Sequence, residues 1–92
     1  MFVVVAYDIP DNRRRTKVMK LLEGFGRHVQ ESVFECDLEP KDYRRMSQRL
    51  QRLMNLRADN VRFYHLCPPD VGRIETYGVG QPVHVREVFT IV

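Results

Sequence analysis

The chain has little of what builds a metal cluster, a disulfide framework or a membrane span. Its two cysteines, Cys36 and Cys67, stand far apart, and its three histidines, His28, His65 and His84, are scattered. Structural zinc or an iron–sulfur cluster requires a tighter set, usually of four ligands, so neither is expected, and the thiols read as reduced and partly buried. No apolar run approaches the roughly 20 residues of a membrane helix. The apolar start at residues 2–7 lacks the basic flank and cleavage site of a signal peptide, so a cytoplasmic protein with no membrane partner is expected. Repeats, linkers and low-complexity segments are also missing. There is no aromatic-rich strand signature of an RNA-recognition module. A small-molecule sensor would want a Gly-rich effector loop, and Gly78 and Gly80 read only as turn residues.

What remains is a chain of 92 residues, 43% hydrophobic and 29% charged, the profile of one globular domain. The net charge of +3 is modest, but its distribution is not. Residues 12–26 and 41–57 together hold 11 basic and 2 acidic side chains; the rest of the chain holds 4 basic and 10 acidic. Such segregation points to a polyanionic partner.

Residues 2–8 read as a strand with Phe2, Val4 and Ala6 on one face and Val3, Val5 and Tyr7 on the other, ending in a carboxylate, Asp8. Asp11 or Asn12 can cap a helix whose stripe is Val18, Leu21, Leu22 and Phe25, closed by Gly24 and Gly26. Residues 28–38 are β-rich and fit either one bent strand or two short ones. Pro40 opens a second helix with Tyr43, Met46, Leu50, Leu53 and Met54 as its stripe. A strand over residues 60–66 sets Val61, Phe63 and His65 opposite Arg62, Tyr64 and Leu66, and Cys67-Pro68-Pro69-Asp70 breaks it. A short strand over 73–77, a turn at Gly78 and Gly80, and a last apolar run over 87–92 follow.

This order suits an α+β, ferredoxin-like βαββαβ sandwich with an extra C-terminal strand, a single domain over 1–92 with two helices on one face of an antiparallel sheet. Two helices cover one sheet face, yet the first strand is apolar on both. A second copy packed on the other face would bury it, which predicts a homodimer.

Three constellations carry chemistry. Arg13, Arg14 and Arg15 at a helix start are electrostatically awkward unless an anion sits among them; otherwise they form a solvated basic turn. With Lys17, and with Arg44 and Arg45 of the second helix, they are the candidate nucleic-acid contacts. Asp8 is either the cap of the turn or one half of a metal site, completed by the Asp8 of a second copy. Tyr7 and Phe34 could stack on unpaired bases, although a strand Phe is more often core.

Three stretches carry a family resemblance: Val3-Val-Val-Ala-Tyr-Asp-Ile9, Gly26-Arg-His-Val-Gln-Glu-Ser-Val-Phe-Glu35, and Asp59-Asn-Val-Arg-Phe-Tyr64. In this order and spacing the chain resembles CRISPR-associated protein two, the small subunit of the spacer-acquisition machinery. The resemblance implies a homodimer whose C-terminal strand, here about 83–92, is exchanged or paired across the two subunits. It implies a Mg²⁺-dependent nuclease, with Mn²⁺ able to substitute, that acts on single-stranded RNA or on DNA. By motif match Tyr7, Asp8, Arg13, Arg15, Arg27 and Phe34 occupy the catalytic positions, with Asp8 as metal ligand. It also implies a non-catalytic alternative, a DNA-binding adaptor that bridges copies of the integrase, CRISPR-associated protein one. Toxin-type endoribonucleases of the same fold are a second alternative.

Sedimentation at micromolar concentration is expected to show a dimer; a monomer there would remove the argument from the two apolar faces.

Overall fold

The apolar run forms strand β1 (Phe2–Asp8), the second of four strands from one sheet edge, in a computed structural model that describes residues 1–85. Helix α1 (Asn12–Glu23) follows, capped by Asp11, whose Oδ2 accepts the Arg14 N–H at 2.8 Å. A cap of this kind contributes about 1 kcal/mol. Val18 and Leu22 are its buried residues, with Leu21 and Phe25 packed at the margin.

The β-rich stretch resolves into two strands, β2 (Arg27–Gln30) and β3 (Val33–Asp37), with a register shift between His28 and Gln30. Helix α2 (Pro40–Leu53) begins at the expected proline and buries Met46 and Leu50. Strand β4 (Asn60–Leu66) completes an antiparallel sheet of order β2-β3-β1-β4. That order, with the βαββαβ succession, is the ferredoxin-like arrangement. Val3, Val5, Tyr7, Phe34 and Cys36 on one sheet face meet Val18, Leu22, Met46 and Leu50 of the helices in one core.

The other face carries Phe2, Val4, Ala6 and Asp8, and the register sets them beside Val33 and Glu35 of β3 and Asn60, Arg62, Tyr64 and Leu66 of β4. The short strand expected over 73–77 is not formed. A single helical turn, α3 (Pro68–Val71), takes up the chain after β4, started by Pro68 at the position where a missing N–H costs nothing. The chain then crosses the β2–β3 half of this face: residues 74–82 and Val29, Gln30, Val33 and Glu35 line a common groove. Arg27 Nη1 donates to Gln81 Oε1 at 3.2 Å, tying the strap to the sheet edge. Gly78 and Gly80 turn the strap at φ values of 86° and 151°, which side-chain-bearing residues rarely adopt. Of residues 74–82 only Ile74 is partly buried, so the strap borders a groove on this face rather than sealing it. Of the C-terminal strand expected over 83–92, residues 83–85 carry no regular structure, and the remainder, including the 87–92 run, lies outside the described residues.

One glycine is set by packing. A Cβ at Gly26 would lie 2.4 Å from Cys36 Sγ and 2.5 Å from the Glu35 carbonyl oxygen. Because the second contact is backbone, β3 itself must move to admit it. Gly26→Ala is therefore expected to cost about 1–3 kcal/mol, read as a lower urea midpoint at unchanged m-value.

Candidate active site

Strand alternation decides first which residues can act together. Tyr7 and Asp8 are neighbours in β1 and so project to opposite faces. Tyr7 enters the helix-side core, 6% exposed, with its ring stacked 6.4 Å from that of Phe34 and its hydroxyl donating to the Glu31 carbonyl at 3.3 Å. Burial pushes its phenol pKa up, opposed by the nearby Arg15 charge. Phe34 is fully buried and also stacks on His28, 4.5 Å away and nearly parallel. Both aromatics are therefore core here, and neither ring presents a face to a base.

Asp8 ends β1 on the opposite face, exposed, opposite Asn60. The helix cap is Asp11, so the reading of Asp8 as a mere cap falls away. The Asp8 carboxylate has no hydrogen bond or ion pair among the described residues.

The three helix-start arginines divide. Arg14 grips Asp59 with both arms, Nε to Oδ2 at 2.8 Å and Nη2 to Oδ1 at 2.9 Å. Asp59, its side chain fully shielded, also accepts the Asn55 N–H at 2.9 Å. The Arg14 hydrogen bond holds the Asp59 carboxyl below its ordinary pKa and raises that of Arg14. Arg15 turns back on its own loop, donating to the Ile9 carbonyl at 2.8 Å and to Asn12 Oδ1. Arg14 and Arg15 thus fix the loop that follows Asp8. Arg13 and Lys17 are exposed and unpartnered among the described residues.

The second helix does not join this site. Arg44 and Arg45 lie in the first turns of α2, at the end of the sheet where β1 begins, since the Leu38 N–H bonds the Met1 carbonyl there. Arg45 pairs with Asp42 at 3.3 Å and lies 6.0 Å over the Phe25 ring. With Lys20 and Arg49 it lines a groove of about 540 Å³ between the helices. Arg27 shares the Asp8 face but is paired with Glu35, which faces Val4. That is four residues and two strands from Asp8, roughly 16 Å by standard strand spacings.

Residue patterns alone missed the β4 neighbours of Asp8. Arg62, paired with Ala6, is the diagonal neighbour of Asp8 on the same face, a relation that spans about 7–8 Å in sheets. Its Nη1 donates to the Tyr64 hydroxyl at 3.4 Å, and Asn60, Arg62 and Tyr64 are all exposed. The alternation of β4 was visible, but the register that brings Arg62 beside Asp8 was not.

As to metal, no group of three or more His, Cys, Asp or Glu side chains is placed to hold an ion among the described residues. One exposed carboxylate suits a hard cation that keeps several waters and draws its other ligands from substrate phosphates or a second carboxylate.

The family model for CRISPR associated protein Cas2 matches residues 1–74. A CRISPR-associated endoribonuclease Cas2 of Chloroflexus aurantiacus is 44% identical over 93 residues, covering 100% of both chains. A CRISPR-associated endonuclease Cas2 of Thermus thermophilus is 44% identical, covering 91% of this chain and 89% of its own. A crystal structure of Streptococcus pyogenes Cas2 superposes with a TM-score of 0.77 at 35% identity, covering 85% of this chain and all of that one.

The Arg14–Asp59 pair sets a pH dependence. A carboxyl with a depressed folded pKa stabilises the fold above its ordinary value of 3.8, and the contribution is lost as pH falls below that through the depressed value. Asp59→Asn is expected to lower the melting temperature at pH 7 and to flatten its fall below about pH 4; a melting curve parallel to wild type at every pH would count against the pair.

Proposed function

The chain belongs to the family of the CRISPR-associated protein Cas2, and from that premise we propose that it is a small metal-dependent endonuclease of CRISPR adaptation. Its substrate is single-stranded RNA, with DNA as a second polynucleotide. The observation that carries the reading is the placement of Asp8, an exposed carboxylate at the end of a central strand, beside a loop held by Arg14 and Arg15. Arg13 and Lys17 take the phosphates of the bound strand, and Arg14 and Arg15 keep the Asp8 loop in place for them. Tyr7 and Phe34 set the shape of β1 from beneath.

Mg²⁺, for which Mn²⁺ can substitute, would be held by Asp8 from each of two subunits. Bound there it lowers the pKa of water and offsets charge on the scissile phosphate. The homodimer follows from the half-site and from the β1–β4 part of the sheet face, where Tyr64 is 48% exposed. The integrase subunit, CRISPR-associated protein one, is the expected larger partner. The adaptor reading keeps the phosphate contacts and drops the chemistry; a lone carboxylate per chain is what favours it.

Asp8→Asn is expected to reduce cleavage of single-stranded RNA by about a hundredfold or more, since a direct ligand matters more than its supporting shell, while RNA binding persists. Spacer acquisition that survives the loss of cleavage would establish the adaptor reading. Wild-type protein inert on RNA and DNA with both Mg²⁺ and Mn²⁺ would end the nuclease one.

A further inference from the structure

We propose that the crevice between α1 and α2, rimmed by Lys20, Arg45 and Arg49, is a second polynucleotide site that holds the phosphates of a single strand. It lies at the far end of the helix layer from Asp8. The proposal rests on the reading of a polynucleotide substrate and adds to it a contact remote from the cleavage centre.

The crevice is placed where a dimer leaves it open. Its groove of about 540 Å³ joins the end of α1, with Lys20 and Phe25, to the first turns of α2, with Asp42, Arg45 and Arg49. The bond from the Leu38 N–H to the Met1 carbonyl puts this end of the layer beside the start of β1. Asp8 closes that strand six residues on, roughly 20 Å away. The helices cover one face of the sheet and a second copy the other, so each subunit of the homodimer carries the crevice on its outer side.

Its charge is only partly answered from within. Lys20 and Arg49 are exposed, with no ion pair or hydrogen bond among the described residues. Arg45 meets Asp42 at 3.3 Å on its own helix and lies 6.0 Å over the Phe25 ring. The other acid of the groove, Asp37, is 3.6 Å from the Met1 ammonium, so both carboxylates are engaged. One turn further along each helix stand Lys17 and Arg52, also exposed. Because β1 and β3 are antiparallel, the helices that follow them run in opposite senses, and Lys17 and Arg52 extend the two rims in the same direction.

Cations along both lips of one crevice repel one another until an anion lies between them. A lone phosphate answers part of such a row, whereas a diester backbone repeats its charge along all of it. The guanidinium forks of α2 match phosphate oxygens in pairs. Packed helices lie about 8–10 Å apart, a width that takes one strand, while a duplex would rest on the rims.

The test titrates the full chain, with Asp8→Asn as a cleavage-blocked parent, against oligouridylate, a blunt DNA duplex and polyglutamate. Adding Lys20→Gln and Arg49→Gln together is expected to weaken oligouridylate binding about tenfold or more. The slope of log K against log salt should become shallower by about 0.7 for each residue. Arg57→Gln with Arg73→Gln removes the same charge outside the groove and should cost distinctly less. Arg49→Lys should keep the slope and lose affinity only in part, because the charge stays and the fork goes. Melting and sedimentation of each variant accompany the titrations. A groove variant that folds and binds oligouridylate with the parent's affinity and slope overturns the proposal and leaves the nuclease reading standing. So does a control pair that loses as much, which would assign the effect to net charge. A loss confined to the duplex, or to polyglutamate, overturns it in favour of that partner. A parent that binds no polynucleotide overturns both readings.

Discussion

The constraint on which this structure turns is the two-residue period of β1. Tyr7 and Asp8 are adjacent in the chain and cannot share a face, so a motif that places them side by side in sequence places them on opposite sides of the sheet. The helix side receives Tyr7 and, through register, Phe34, and becomes a close-packed core. The open side receives Asp8 and, through the pairing with β4, Asn60 and Arg62. The candidate chemistry belongs to the second face, to the loop at its rim and to the first turns of α1. Everything said of burial belongs to the first.

The arginines illustrate the difference between charge and availability. A count by segment places five basic residues along α1 and treats them as one surface. The folded chain sorts them by partner. Arg14 forms a shielded bidentate pair across 45 residues of sequence, and Arg15 binds the carbonyls of its own approach loop. These two contribute to function by holding the geometry of their neighbours. Breaking one partner from a shielded pair is costly because the other is left uncompensated, so such arginines are poor candidates for a mobile ligand contact.

Element order, the Asp11 or Asn12 cap, the Pro40 start and the β4 span were all legible in the sequence, because apolar periodicity and turn residues act locally. The strand over 73–77 was misread: its apolar and aromatic residues suggested a ladder, but Pro68 and Pro69 had already committed the chain to a turn and a crossing. Asp8 was legible as a candidate because it interrupts an apolar run. The nearness of Arg62 to it was not, since a single cation in a strand carries no signal until the register with β1 is known. The splitting of Arg13, Arg14 and Arg15 was equally out of reach, as it depends on Asp59, which only tertiary folding brings near.

The sheet order has a consequence for how the chain is made. The first strand to be synthesised lies between β3 and β4, the last of the four, so its two ladders close at very different times. At ordinary translation speeds of about 5–20 residues per second, roughly 3–12 s separate the emergence of β1 from that of β4. Through that interval Val3, Val5 and Tyr7 can be shielded on one flank by the β2–β3 hairpin and α1, while the other flank waits. Pairing over such a separation is also the slow part of refolding in two-state domains. A nascent chain stalled before residue 60 would hold an unpaired apolar strand edge, and quality-control machinery that binds extended hydrophobic segments would meet it there.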